Sequence, residues 1–431
     1  MANAARAVEK IRKGECDKIF SSLYLSDRET ILKQRERYAG AIENFERHYG
    51  AGRDISIYSA PGRTELCGNH TDHNNGVVMA AAVNLDIIAV VSKSEGEVIR
   101  LRSHGFRYED AVNLSRLEPD PGEFGKSSGI IRGIAAAYRE RGGTLGAFDA
   151  YTVSDVIKGG GLSSSAAFEV CVGSILNGEY NGGRFDAVTL GIMGQYSENK
   201  FFGKPSGLMD QTACSVGGAI SIDFGDPSAP VVLKIPLDLS RHGMHLVVTD
   251  TKGDHSGLTD EYAAIRSEME SVAAFFGKRC LREVDYDDFK ARVADVRQET
   301  GDRSVIRAIH FFEECERVRR VSDVVRKDDI ARFLELIVEC GHSSFEFNQN
   351  AYSIKTPGRQ GVPLALAVSQ RILNGWGAWR LQGGGFAGTI QAFVPDSLLG
   401  EYCRAMSDLF GDEACHVLRI RREGGVKLRL E

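Results

Sequence analysis

Lys158-Gly159-Gly160-Gly161-Leu162-Ser163-Ser164-Ser165-Ala166-Ala167 is the stretch on which the reading of this chain turns. Before it, Phe148 to Val156 alternates weakly and carries β-branched Thr152, Val153 and Val156, which predicts a strand. After it, Leu162, Ala166, Ala167, Val170, Cys171, Ser174 and Ile175 recur at helical spacing. Between the two, glycines allow left-handed backbone angles and close approach to a ligand. The first N–H groups of a helix have no internal partner and carry partial positive charge, so such a junction is a ready anion site with phosphate as its usual occupant. A flexible glycine-serine turn is the competing reading. The small residues run without a break into the helix, which favours the phosphate cradle.

Working outward, Ile55 to Ser59 alternates like a strand and enters Ala60-Pro61-Gly62-Arg63. Val77 to Ser92 is apolar and β-branched and predicts one or two strands. Helices are expected over Arg35 to Tyr49, Ile130 to Tyr138, Phe185 to Phe202, Tyr262 to Phe276 and Leu364 to Leu373, with residues 281 to 345 mostly helical. Strands are expected over Val216 to Phe224, Met244 to Thr251 and Gly388 to Val394. The texture changes near Pro236. The expected organisation is α+β: an N-terminal extension over 1–34, an α+β domain over 35–235, and a second over 236–431.

The 431 residues carry a formal charge of -6 and no long basic block, which gives no support for nucleic-acid binding. No apolar run reaches the roughly 18 residues of a membrane span, and Met1 to Lys13 lacks the apolar stretch of a signal peptide. The nine cysteines are scattered without a Cys-x-x-Cys pair, as in a reduced cytoplasmic protein with free thiols.

Three further stretches carry chemistry. Pro61-Gly62-Arg63-Thr64-Glu65-Leu66-Cys67-Gly68-Asn69-His70-Thr71-Asp72-His73-Asn74 is dense in polar groups just after a strand. Arg63 can clamp phosphate or carboxylate, and His70 and Asp72 can bind hydroxyls. The alternatives are a metal site at His70, Asp72 and His73, which no distant ligand motif completes, or a structural polar turn. Glu198 and Asp210 flank Gly203 to Met209; one can hold magnesium and the other orient a nucleophile, or each can be a surface acid or a helix cap. Leu381-Gln382-Gly383-Gly384-Gly385-Phe386-Ala387-Gly388 contains Gly-x-Gly-x-x-Gly, but a strand follows it where a dinucleotide site needs a helix. A glycine wall against the first loop's ligand is the better reading. Gly125-Lys126-Ser127 is no Walker loop, because Asp120 stands where its first glycine belongs.

Taken together, Pro61 to Asn74, Gly159 to Ala166, Leu381 to Gly388, Glu198 with Gly207-Leu208-Met209-Asp210-Gln211, and Asp260-Glu261-Tyr262 with Arg266 resemble the galactokinases, within the wider family of galactokinase, homoserine, mevalonate and phosphomevalonate (GHMP) kinases. The resemblance covers roughly Ile55 to Val394. It implies the two-domain GHMP kinase fold, with the active site in the cleft between the domains, and ATP-dependent phosphoryl transfer to the anomeric hydroxyl of a hexose, galactose first. On that resemblance Asp210 and Arg63 are the catalytic pair, and Gly159, Gly160, Gly161, Leu162, Ser163, Ser164, Ser165 and Ala166 bind ATP. Ser165 and Glu198 hold Mg2+, and Asn69, His70, Asp72, Gly207 and Tyr262 bind the sugar. The implied partners are the sugar and ATP, with a monomer or weak homodimer expected.

Some residues depart from the pattern. Thr64-Glu65 replaces the usual Val-Asn, Asn69 replaces a glutamate that grips the C6 hydroxyl, and His73 replaces a tyrosine. Ile157-Lys158 replaces Pro-Leu, and no tryptophan stands near Ser127. These changes leave open a kinase for a C6-altered or 2-acetamido hexose, or a non-catalytic regulator that binds sugar and ATP.

Overall fold

The computed structural model describes residues 2–24, 27–157, 160–253 and 257–429. Its organising pair is the strand Asp54–Cys67 and the strand Val77–Lys93, which is one strand and not two. They pair antiparallel from Ser56↔Val91 to Cys67↔Met79, with register shifts between Pro61 and Arg63 and between Glu65 and Cys67. Pro61 has no N–H to give the ladder. The two irregularities bracket Arg63 and Glu65, and bulges of this kind re-aim side chains beside functional sites.

Strand alternation sends these residues to two different interiors. Ile55, Ile57, Ile88 and Val90 face a cluster with Phe20, Tyr38, Ile42 and Phe45 from the N-terminal helices. Tyr58, Ala60, Ala89 and Val91 face the other way, onto Ala167, Val170 and Ile175 of the helix Ser164–Tyr180. Both faces of the sheet are therefore covered, which explains why almost every residue of the two strands is buried.

Among the described residues this sheet has nine strands. Its main path runs Ala2–Asn3, Asp54–Cys67, Val77–Lys93, Phe148–Ser154, Val98–Ser103, Glu109–Asn113. Ala219–Asp223 pairs with the far end of Val77–Lys93. The second sheet is antiparallel, in the order Ala378–Leu381, Thr389–Pro395, Met244–Asp250, Cys415–Leu418. Helices Gly361–Leu373 and Asp396–Phe410 cover one face of it. The helices Thr259–Phe275, Asp302–Arg326 and Ile330–Ser343 fill the space towards the first sheet, and their cluster is continuous with the core behind the serine helix.

The chain ends cross the boundary expected near residue 235. Val426–Leu428 adds to Asp54–Cys67, and Ile420 bridges Val83. Arg421 reaches Asp86 at 3.0 Å in the first sheet's interior. Asp86 also accepts from Arg37 at 2.7 Å and from Tyr24 at 2.6 Å. The N-terminal extension and the C-terminal tail thus meet on one buried carboxylate. All nine cysteines are free, and among the described residues no helix is long and apolar enough to cross a membrane.

Candidate active site

Arg63 leaves its strand between the two bulges and lies 7% exposed. Its Nε donates to Asp210 Oδ1 at 2.7 Å and its Nη2 to Asp210 Oδ2 at 2.6 Å, a two-pronged pair. Its Nη1 donates to the Gly161 carbonyl, and its backbone N–H to the Leu162 carbonyl at 3.1 Å. One guanidinium therefore ties the carboxylate to the glycine-serine loop. Asp210 is the second residue of the helix Met209–Val216, where the positive end of the helix favours an anion. Burial pushes its carboxyl up, but the Arg63 charge, the hydrogen bonds from Arg63 and Ser163, and nearby Lys204 outweigh burial and hold it below the usual carboxylate range.

Ser163 sits at the start of the serine helix in the left-handed region, at φ 54. Its hydroxyl donates to Asp210 Oδ2, and its oxygen accepts no cap bond from the N–H groups of its own helix. The leading N–H groups of that helix are left for a phosphate. Gly161 also takes a positive φ, 67, and a Cβ there would meet Thr389 Oγ1 at 2.7 Å and Gln382 Nε2 at 3.4 Å. Gln382 donates to the Gly161 carbonyl at 3.1 Å, so the C-terminal glycine stretch does wall the first loop. Gly160, Leu162, Ser164, Ser165 and Ala166 follow at this junction; Gly159, with Lys158, lies outside the described residues.

Glu198 opens a wide helical turn, Glu198–Phe202, and is 2% exposed. Its two oxygens accept from Lys204 Nζ at 2.8 Å and Gln211 Nε2 at 2.9 Å. Beside it lies buried Glu169, one helical turn beyond Ser165, with the Gln211 side chain against its carboxyl. Burial, then the Glu198 charge, pushes the Glu169 carboxyl well up. The Glu198 charge opposes ionisation of Glu169, and a cation at this corner would relieve that repulsion. Ser165 hydroxyl and Glu198 carboxylate are hard donors of the kind magnesium takes alongside substrate phosphates.

Across the site, a Cβ at Gly207 would run into Asp72 Oδ2, so any larger residue there must displace that carboxylate. The Asp72 carboxyl is raised, first by burial and then by Glu65 and Asp210, against the pull of His70. His70 Nε2 donates to the Gly384 carbonyl at 2.9 Å, and Tyr262 hydroxyl to the Gly385 carbonyl at 2.8 Å. Both side chains therefore lean on the C-terminal glycine stretch.

Asn69 is placed differently from a residue that faces a ligand. It is 0% exposed. Its amide donates to Glu65 at 3.0 Å and to the Gly383 carbonyl at 2.8 Å, and its Oδ1 accepts from Asn350 at 2.8 Å. Glu65 is in turn locked to Arg380, 0% exposed, at 2.6 Å. Thr64 hydroxyl donates to Gln382 Oε1 at 3.0 Å and accepts from Gln391. Three of the departures, Thr64, Glu65 and Asn69, thus bind the signature strand to the second sheet. The ring of the fourth, His73, receives Asn74 Nδ2 at 3.0 Å, and burial, then His70, drives its pKa well below the usual histidine range.

Sequence reasoning does not single out Lys204, Gln211, Asn350, Arg380 or Gln382. Their partners lie up to 318 positions away, and nothing local marks them except the polar Gln382 inside an otherwise apolar and glycine stretch. A cavity of about 1120 Å³ lined by Pro236, Leu239, Met244, His245, Arg419 and Arg422 shares no residue with this site.

The chain is similar to known proteins in sequence and in fold. Residues 43–93 match the galactokinase galactose-binding signature, and residues 129–218 the GHMP kinases N terminal domain. A galactokinase of Streptomyces coelicolor is 34% identical over 396 residues, covering 89% of this chain and 96% of that protein. One from Actinobacillus pleuropneumoniae is 29% identical over 373 residues, covering 85% and 92%. Among solved structures, Lactococcus lactis galactokinase complexed with galactose superposes with a TM-score of 0.78 at 21% identity, covering 91% of this chain and 100% of that one. Methanococcus jannaschii mevalonate kinase gives 0.59 at 16% identity, covering 85% and 98%. The chain belongs to the galactokinase family, sugar kinases built on the GHMP kinase fold.

Proposed function

We propose that this chain transfers the terminal phosphoryl group of ATP to the anomeric hydroxyl of galactose. The observation that carries the reading is the Arg63–Asp210 pair set against the uncapped start of the serine helix. A carboxylate has about four lone-pair positions, and Asp210 already accepts three hydrogen bonds, two from Arg63 and one from Ser163. The remaining one is available to a sugar hydroxyl, which Asp210 aligns and whose proton it draws. Arg63 keeps Asp210 ionised and offers positive charge to the phosphoryl in transit. Phosphoryl transfer needs mostly positioning and charge neutralisation.

The N–H groups of Leu162 to Ala166 and the hydroxyls of Ser164 and Ser165 cradle the ATP phosphates, with Gly160 and Gly161 giving the close approach, while the Ser163 hydroxyl stays on Asp210. Gly159 belongs to the same loop by sequence. Ser165 and Glu198 would hold Mg2+, which when bound neutralises phosphate charge. Lys204 supplies a positive charge to Glu198 meanwhile. His70, Asp72 and Tyr262 hold the sugar, with Gly207 clearing room beside Asp72. Asn69 acts from behind, through Glu65 and Asn350, and does not grip the sugar itself. The protein works on soluble small molecules, and its nine free cysteines suit the reducing cytoplasm.

ADP release measured across a panel of hexoses tests the reading. Galactose is expected to give the highest kcat/KM; turnover on galactose at or below the sugar-free background, with turnover on another hexose, would replace the substrate. Binding of sugar and ATP without turnover on any sugar would make the chain a sensor.

A further inference from the structure

Three side chains from three elements converge beneath the signature strand, and the phosphoryl-transfer reading uses none of them. Cys67 ends the strand Asp54–Cys67, Glu314 lies in the helix Asp302–Arg326, and Cys340 in the helix Ile330–Ser343. All three are 0% exposed. Their two Sγ atoms and one carboxylate oxygen lie within 4.8 Å of one another. Both thiols donate to the same oxygen, Glu314 Oε1, Cys340 at 2.7 Å and Cys67 at 3.3 Å. The Gly68 N–H joins them at 3.1 Å, immediately before Asn69. The other carboxylate oxygen is held by Arg317.

Two thiols and a carboxylate aimed at one point form a metal-ligand set with protons in place of the metal. Zinc bonds of about 2.3 Å to sulfur and about 2.0–2.2 Å to oxygen put ligand atoms roughly 3.5–3.8 Å apart, so the proton-bridged cluster, with S···O separations of 2.7 and 3.3 Å, opens by several tenths of an ångström to admit the ion. Thiolate donors select a soft or borderline cation over magnesium or calcium. The charge count also closes. Glu314 is balanced by Arg317, and neighbouring Arg380 by Glu65. A divalent cation that enters as both thiols release a proton leaves the buried charge unchanged, with no redox step. Each sulfur keeps the electron pair of its lost S–H bond and gives it to the metal.

We propose that Cys67, Glu314 and Cys340 supply three ligands to one thiophilic divalent cation, such as Zn2+, that fastens the sugar-signature strand to the helices Asp302–Arg326 and Ile330–Ser343. The ion is structural, distinct from any Mg2+ at Ser165 and Glu198, and the proposal stands whichever hexose is the substrate.

The test uses the full chain, reduced and stripped with a chelator, then titrated with Cd2+ alone. A thiolate-to-cadmium charge-transfer band in the ultraviolet is expected to saturate at about one equivalent. The band should vanish in C67S/C340S. It should persist in C403S/C415S, which removes the other neighbouring thiols, Cys403 and Cys415. Anomalous diffraction from a wild-type crystal soaked in Zn2+ needs no variant, and its peak should fall between the two sulfurs. Three outcomes would overturn the proposal: a band of equal size in C67S/C340S, a peak placed elsewhere, or a Cys67–Cys340 disulfide in the freshly purified protein.

Discussion

Gly207 shows how little room is left beside Asp72. A Cβ at that position would overlap Asp72 Oδ2, and an alanine has no rotamer with which to avoid the carboxylate. Gly207→Ala is expected to displace Asp72 and raise the galactose KM by about tenfold or more, worth about 1.4 kcal/mol, while the ATP KM stays within about twofold. Steady-state kinetics with each substrate varied in turn checks this; equal rises in both would point to a general disturbance of the site. At this scale the sequence is informative wherever a motif carries the chemistry. Arg63, Ser163 and Asp210 stand in three separate motifs, and they meet in space. It is uninformative where a residue's role depends on a distant partner. Asn69 sits in the signature like a ligand-facing side chain, yet Glu65, Gly383 and Asn350 consume its amide.

The strand Asp54–Cys67 is the element on which the two lobes are joined. Glu65 and Arg380 are buried, 4% and 0% exposed, and satisfy one another. Removing one charge leaves the other uncompensated, which typically costs about 3–5 kcal/mol. Glu65→Gln is therefore expected to lower the melting temperature by several degrees, because the Arg380 charge is left without its partner. A variant as stable as the wild type in thermal unfolding would show that the pair contributes little. The long elements follow their periodicity: Val77–Lys93, Met244–Asp250 and Thr259–Phe275 lie where the sequence places them, within a few residues. Val216 to Phe224, expected as strand, instead divides into the end of the helix Met209–Val216 and the strand Ala219–Asp223, with Gly217 and Gly218 at positive φ between them. The helix Phe185 to Phe202 ends its α-helical part at Ser197 and opens into the wider turn that carries Glu198, the kind of bulge that often marks a functional site. Val98–Ser103 and Glu109–Asn113 are short and strongly charged, so their alternation carries little apolar contrast.

For the molecule as a whole, Asp86 is the buried point on which both chain termini depend. Burial raises its carboxyl, but Arg37 and Arg421, with hydrogen bonds from Ser59 and Tyr24, pull it below the usual range. With the folded pKa below the unfolded value of about 3.9, its contribution to stability is fully present above that value and is lost as pH falls through the lower one. Asp86→Asn should thus melt well below the wild type at pH 7, with the gap narrowing below about pH 4; a gap that does not change with pH would separate the network from that charge. Deleting residues 1–34 should do comparable harm, since it takes Phe20 and Ile11 from the cluster over Ile55 and Ile88, cuts into the helix Arg28–Tyr49 and removes Tyr24. This fusion of ends into the first sheet has no local signature, because Arg421 and Asp86 are 335 positions apart.

The proposed chemistry turns on one ionised carboxylate, Asp210, held by the Arg63 guanidinium beside the uncapped start of the serine helix. Asp210→Asn keeps the shape of that carboxylate and removes its charge. Comparing kcat for galactose phosphorylation in this variant and the wild type, with nucleotide binding measured on both, is the most direct test. A fall on the order of a thousandfold or more with nucleotide affinity retained is the predicted result; a fall of less than about tenfold would contradict it.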